Sequence, residues 1–494
     1  MVNLKWEGKK EKKKIIAELF DVKPFHILDI YPSVSFESSL EETWENLLIQ
    51  GENESVINSL LNKFENKITL IYIDPPFATG GDFSFKIQYG ENGEFVDDIA
   101  YSDKWKDGLD SYLTFLYDRL VKMKQLLTYD GSIYVHVDWH ISHYVKLLMD
   151  EIFGNENFRN EIIWAYPAAS VKTRSFYIRS YDTILFYSKS DNYVFNDDPN
   201  IYMEYSNRVK NALKKDEKGI FYYRGGSHNG KKLSRKVYIE QEGIFPRDVW
   251  NDVPYIRANT SEYQGFSTQK PERLLKRIIL ASSNERNIVA DFFCGSGTTL
   301  AVAEKLGRHW IGCDINKQAI HISKKRILDI SNSNDILNWK ERFNKKYCSF
   351  KILSFENEIK KQSISKVFLN NNSTIEKDYS IETIPEINVK INQNNNTVEV
   401  ELVNYKIPYL NLISKKIQDK ITSSLDLIDY WSIDYDFNNS IFKNMWYSFR
   451  TPKKRELSSK SEPFFYDLSG NHYLSIKVID IFGIETQQSY KITI

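Results

Sequence analysis

The sequence predicts a doubly wound α/β domain that carries an inserted basic segment and a β-rich appendage. Three observations predict it. Ile68-Thr69-Leu70-Ile71-Tyr72-Ile73 is an unbroken apolar run of strand length, as a parallel strand covered on both faces requires. Strand-like and helix-like patterns then alternate as far as Ile152, and the same rhythm returns between Ser267 and Ile330. Beyond residue 383 the patterns are strand-like alone.

Residues 1–50 read as a charged, aromatic lead-in of weak periodicity. Residues 51–165 hold the first βα stretch: Tyr112, Leu116, Leu120, Met123 and Leu127 recur at helical spacing, Asp130-Gly131 ends that helix, and Ile133-Tyr134-Val135-His136-Val137 is the next strand. Between 166 and 265 the rhythm breaks into short aromatic segments. There the window 201–240 holds ten Lys or Arg against four Asp or Glu, a local excess of six. Residues 266–330 resume it. Pro271 suits a first helical turn, followed by Leu274, Leu275, Ile278 and Ile279 on one face. Ile288-Val289-Ala290 is a short strand, Thr299 to Leu306 a helix closed by Gly307, and His309 to Cys313 another strand. Residues 331–382 read as a polar helical stretch and a linker marked by Asn370-Asn371-Asn372. Residues 383–494 read as a separate β-sandwich-like domain, with strands at Val398–Val403, Tyr473–Ile479 and Tyr490–Ile494.

The chain has 494 residues, 41% of them hydrophobic, enough to bury a substantial core. Lys plus Arg and Asp plus Glu both number 66, so a globally basic coat is excluded and any nucleic-acid surface must come from local clustering. No stretch approaches the roughly 18 apolar residues of a membrane span, and the charged run from Lys9 to Lys14 leads into no signal-peptide core. Cys294, Cys313 and Cys348 make neither a disulfide framework nor a metal-ligand set. The expectation is a cytoplasmic, metal-independent protein.

Two loops carry chemistry. Asp74-Pro75-Pro76-Phe77 follows the apolar strand, where two prolines force a stiff turn at the carboxyl edge of the sheet. The turn offers a carboxylate, carbonyls without competing N–H donors and an aromatic face. Asp74 and the Pro75 carbonyl can each accept one N–H of an exocyclic amine whose ring stacks on Phe77. The second loop, Asp291-Phe292-Phe293-Cys294-Gly295-Ser296-Gly297-Thr298-Thr299, joins a strand to a helix. Gly295 and Gly297 allow close backbone approach, and the helix N-terminus adds a positive end. Asp314 ends the next strand, where a carboxylate holds ribose hydroxyls. A nicotinamide site would need a small residue where Leu300 stands, and Asp291 would repel a pyrophosphate; a cationic nucleoside such as S-adenosylmethionine fits better.

These residues resemble the β-class amino-methyltransferases of DNA, particularly the adenine-specific modification subunits of restriction–modification systems, type III among them. Asp74-Pro75-Pro76-Phe77 is similar to their catalytic tetrapeptide, Phe293 to Gly297 to their cofactor loop, and Thr268-Gln269-Lys270-Pro271 to the segment that lines the methionine end of the cofactor. Gly51-Glu52-Asn53 resembles their Gly-Asp-Asn element, with Glu52 and Asn53 as cofactor contacts. The catalytic motif precedes the cofactor motif, here by 217 residues from Asp74 to Asp291, with target recognition between them. The resemblance covers about residues 45–330. It implies a mixed seven-stranded Rossmann-like methyltransferase sheet with permuted motif order, and methyl transfer from S-adenosylmethionine to the N6 amine of a flipped adenine in double-stranded DNA. N4 of cytosine is the runner-up target, and a silent DNA-binding or scaffolding protein the reading from another class.

Lys231, Lys232, Arg235 and Lys236, between the motifs, are candidates for phosphate contact. Asp138 reads as the N-cap of a helix beginning near Ile141, His136 as a satisfied core histidine, and Trp105, Trp164 and Trp250 as core. The tail is expected to serve stability or a protein partner, either a restriction subunit or a second copy of the chain.

Overall fold

The computed structural model describes residues 4–17, 22–32, 44–89, 94–105, 108–167, 175–228, 231–239, 243–356, 363–364, 368, 379–380 and 383–494. The Asn370–Asn372 linker lies outside them. The first half contains α1 (Lys12–Ala17), β1 (His26–Tyr31), β2 (Asn46–Gln50), α2 (Asn53–Phe64) and β3 (Ile68–Ile73), then a hairpin of β4 (Asp82–Tyr89) and β5 (Glu94–Ser102). It continues with α3 (Gly108–Leu126), β6 (Leu127–Val137), α4 (Ser142–Phe153), β7 (Phe158–Ala165) and β8 (Tyr181–Ser188). The middle holds α5 (Asn207–Asn211), β9 (Lys214–Asp216), β10 (Gly219–His228), β11 (Lys231–Tyr238) and β12 (Val249–Trp250). The second βα stretch is α6 (Glu272–Ser282), β13 (Ile288–Asp291), α7 (Thr298–Lys305), β14 (His309–Asp314), α8 (Lys317–Leu328) and β15 (Phe350–Ser354).

Seven strands in the order β7-β8-β6-β3-β13-β14-β2 form the middle of the main sheet, parallel except for β8. This is the mixed α/β sheet expected from the sequence, extended to eleven strands: β12 extends one edge, and β15, β1 and a two-residue tail strand extend the other. The extra strands come from stretches where the periodicity is weakest. β1 is half-buried in an irregular pattern, and β15 emerges from the segment read as a polar helix. That segment is corrected here: residues 333–349 form turns, with Phe343 and Tyr347 folded onto the core. Asp130-Gly131 is also corrected. Helix α3 already stops at Leu126, and the pair sits inside β6, where the register with β3 shifts.

All six residues of β3 are buried, because helices cover both faces of the sheet. β3 and β13 lie side by side, Val289 opposite Leu70 and Ala290 opposite Ile71, so both chemical loops leave the same carboxyl edge. This edge is where open α/β sheets bind ligands.

The tail contains two sheets. After the short pairing of β16 (Ser363–Ile364) with β17 (Tyr379–Ser380) come β18 (Glu386–Asn394), β19 (Thr397–Lys406), β20 (Ile428–Asp434), β21 (Phe442–Lys443), β22 (Trp446–Phe449), β23 (Phe464–Phe465), β24 (Asn471–Asp480) and β25 (Glu485–Thr493). One sheet runs β18-β19-β23 and the other β22-β20-β24-β25, while β21 pairs with β1 in the main sheet. Tyr430 and Ile479 pack in the same cluster as Leu70 and Trp310. Lys477 Nζ donates to Asp29 Oδ1 of β1 at 2.6 Å, with both side chains buried, and lies 3.0 Å from Glu485 Oε1. Burial opposes the Lys477 charge, but Asp29 and Glu485 more than offset this and hold the ammonium above its ordinary range. Among the described residues, no helix is long and apolar enough to cross a membrane.

Candidate active site

The Asp74 turn is built rigidly. Asp74 Oδ2 pairs with Lys270, whereas Oδ1 is buried without a hydrogen-bond partner among the described residues. Beyond the prolines, Ala78 has φ +55°, a left-handed conformation held by Asp103. This buried carboxylate accepts from Ala78 N at 2.9 Å, Thr79 N at 2.7 Å and Thr79 Oγ1 at 2.8 Å, and from the Trp105 indole at 3.0 Å. The Phe77 ring lies over His136, centroids 6.1 Å apart and planes 21° from parallel. Both nitrogens of His136 are engaged, by Tyr72 OH at 2.8 Å and Asp182 Oδ2 at 3.1 Å.

In the second loop, Asp291 Oδ1 accepts from Phe293 N at 3.0 Å and Oδ2 from Thr299 Oγ1 at 2.5 Å. Burial pushes Asp291 up to about 7, against the help of those bonds. Asp314 accepts from Gly295 N at 2.9 Å and Asn316 N at 2.8 Å, and burial raises it to about 6. The Cys294 thiol is buried, and its backbone N donates to Cys313 O at 3.0 Å.

Gly297 caps α7 at φ +72°. A side chain there would meet the protein itself, whatever ligand approaches the backbone. A Cβ would stand 2.7 Å from Ser323 Oγ and 2.9 Å from Ser323 Cβ, on α8. Gly297→Ala is therefore expected to destabilise the free protein by about 1–3 kcal/mol through the left-handed backbone alone, with the α8 clash added. A thermal melt without ligand checks this; an unchanged Tm with weakened ligand binding would restore the direct-contact reading.

The structure gathers most of the sequence candidates around one cavity of about 340 Å³. Glu52, Asn53, Asp74, Pro76, Thr268, Gln269, Lys270, Asp291, Phe292, Phe293, Cys294, Gly295, Ser296, Thr298, Thr299 and Asp314 line it. Pro75, Phe77, Pro271 and Gly297 do not; Pro271 is the N-cap of α6. Gln269 braces the loop before it, donating to Glu262 O at 2.6 Å and accepting from Gln264 N at 2.7 Å. Glu52 caps α2 through Ser55 N at 3.0 Å and pairs with Arg119, which also donates to Asn53 Oδ1 at 2.6 Å. Arg119, Phe115, Tyr101 and Phe266 complete the walls and were not foreseen from sequence. Four carboxylates against Arg119 and Lys270 suit a cationic ligand, and the aromatic walls suit a flat ring.

The basic candidates lie elsewhere, on the three-stranded sheet β9-β10-β11. Lys236 is tied to Asp216 at 2.8 Å. Arg235 is exposed and stands directly across from exposed Arg224, a like-charge pairing that is unfavourable without an anion. The side chains of Lys231 and Lys232 lie outside the described residues. Asp138 is corrected: α4 is capped at Ile141 with no side-chain bond, and the Asp138 carboxylate turns instead to His140 N at 2.9 Å. Trp164 and Trp250 are core, and Trp105 is partly buried against Asp103 and Tyr112.

A family model described as DNA methylase matches residues 68–325. The type II methyltransferase M.EcaI of Enterobacter cloacae is 31% identical over 368 residues, 66% of this chain and 77% of that protein. The DNA adenine methyltransferase YhdJ of Escherichia coli (strain K12) is 32% identical over 261 residues, 53% of this chain and 76% of that one. The EcoP15I Mod subunit, a type III restriction-modification enzyme of Escherichia coli, is 25% identical over 227 residues, 41% and 34% of the two chains.

Proposed function

The chain belongs to the DNA methylase family, and from that premise we propose how its cavity methylates the N6 amine of adenine in DNA. The likeness to an adenine methyltransferase and the Asp at position 74 both support adenine over cytosine. The observation that carries the reading is Asp74 Oδ1, a buried acceptor without a partner beside the cavity. A buried carboxylate oxygen left unpaired is costly unless a donor arrives.

S-adenosylmethionine supplies, when bound, a methyl group on a cationic sulfonium. The residues present fit it. Asp314, already oriented by two backbone N–H groups, has lone pairs left for ribose hydroxyls, and Asp291 places negative charge in the cavity. The target amine is a poor nucleophile because its lone pair is delocalised into the purine. Asp74 Oδ1 and the Pro75 carbonyl accept its two N–H bonds and localise that lone pair, while Lys270 holds Oδ2 and fixes the carboxylate's rotation. Phe77, backed by His136, stacks on the extruded base. The proton lost from N6 after attack finds Asp74 Oδ1 already in place. Residues 166–265 read the site, and Arg235 with Arg224 meets phosphate. The likeness to a Mod subunit supports a restriction partner, and the cytoplasm is where the DNA would be met. Long-read methylation sequencing of DNA from expressing cells tests the whole reading: modified cytosine, or no modified base, would overturn it.

Asp314→Ala is expected to weaken cofactor binding by about 1.5–3 kcal/mol, as loss of a hydrogen bond to a charged group does; calorimetry with unchanged affinity would refute the assignment. The raised carboxyls give opposite pH slopes. Asp314 and Asp291 titrate near 6 and 7 in the folded chain and about 3.9 unfolded, so their contribution to stability is complete below pH ~4 and lost as pH rises through 6–7. The cofactor requires the ionised forms, so its affinity should rise over the interval in which the free protein loses that stability. Calorimetry and melts between pH 5.5 and 8 read the two slopes separately.

A further inference from the structure

At the carboxyl edge of the sheet a short ridge stands off the protein with apolar side chains outward. Phe176, Tyr177 and Ile178, just before β8, are 56%, 97% and 45% exposed. Packing does not explain Tyr177 there, and a cluster of exposed large apolar groups marks a surface that meets something. The ridge is firmly mounted. The Arg179 guanidinium lies 3.7 Å from the ring centroid of Trp139 and 5.0 Å from that of Phe176. Trp139 in turn rests on His140, centroids 3.7 Å apart, and Asp138 accepts from His140 N at 2.9 Å.

The register ties this mount to the reacting edge. Val137 of β6 pairs with Thr183 of β8, and Val135 with Ile73 of β3, one residue before Asp74. Between them His136 bridges Phe77 and Asp182, the residue after Tyr181. The ridge and the Asp74 turn thus lie on one continuous edge of three neighbouring strands, and Arg179 adds a cation suited to a phosphate backbone.

We propose that Tyr177 is a wedge that enters the duplex as the target base leaves it, with the Trp139–Arg179–Phe176 stack as its rigid mount; this rests on the reading of the cavity as an adenine methyltransferase site. Extruding a base costs stacking and pairing and leaves a gap, and an aromatic side chain already fixed beside that gap replaces the lost stacking. Tyr177 acts through the position of the base and touches no reacting atom, so it is a positioning residue.

The test compares Tyr177→Ala and Tyr177→Phe with the parent on two duplexes, one fully matched and one with an abasic site opposite the target adenine. On the matched duplex Tyr177→Ala should lose about tenfold or more in kcat/KM, the scale of one lost base–aromatic stack. On the abasic duplex, where the target is already unpaired, it should approach the parent. Tyr177→Phe should match the parent on both, and 2-aminopurine at the target should brighten less with Tyr177→Ala than with the parent. Equal loss on both duplexes, or no loss on either, overturns the wedge. Equal loss together with a changed oligomeric state in ultracentrifugation would assign the ridge to a second copy of the chain. A parent that methylates adenine in neither duplex overturns the functional reading itself, and the wedge falls with it.

Discussion

Asp74→Ala is expected to abolish methyl transfer, by at least the 10²–10³-fold in kcat that loss of one preorganised polar contact to a reacting group costs, while cofactor affinity stays near the parental value. The separation follows from where the contacts lie. The carboxylate proposed to hold the ribose is Asp314, whose partners are Gly295 N and Asn316 N, and none of these contacts involves Asp74. The substitution also deprives Lys270 of its carboxylate partner. Turnover and calorimetry on the same preparation check both halves. Activity within tenfold of the parent would mean that the amine is held by something else.

Lys477→Ala should be strongly destabilising, at about 3–5 kcal/mol, because removing one partner of a buried ion pair leaves the other charge uncompensated. The charges left behind are Asp29, in the outer part of the main sheet with the Asn444 amide at 3.2 Å and the Lys324 ammonium near it, and Glu485. Denaturant titration reads the loss, and a change below 1 kcal/mol would show that water reaches Asp29. By the same logic, deleting residues 383–494 removes β21 from the sheet edge and Tyr430 and Ile479 from the central core. The truncated chain should be insoluble. A folded, active truncate would refute that packing role and free the tail for a separate function.

The parts of the site that lie where a strand ends were legible in the sequence. Asp74 follows six consecutive buried residues, and Asp291 to Thr299 join a strand to a helix through two glycines, so a local pattern locates each loop. The walls were not legible. Arg119 sits on α3 among apolar neighbours and reads as an ordinary helical charge; only the fold brings it to Glu52 and Asn53. Tyr101 and Phe266 reach the cavity from the hairpin and from the loop before α6, elements whose own periodicity says nothing about a shared wall. Asp103 carries no motif, since its role is to bond a turn more than twenty residues earlier. Gly297 was legible as a glycine beside a ligand loop, whereas its packing against Ser323 of α8 was not, because sequence does not show which helix lies next to it.

The adjacency of β3 and β13 has a consequence during synthesis. One flank of β3 finds β6 soon after it emerges from the ribosome, but the other must wait for Val289 and Ala290, which leave the tunnel some 215 residues after Ile73. At translation rates of 5–20 residues per second that wait is roughly 10–40 s. Throughout it the nascent chain presents an open strand flank, formed by one of its most apolar segments, to every other nascent chain nearby. A chaperone or a low temperature that shields that flank in the interval is therefore expected to favour folding over association.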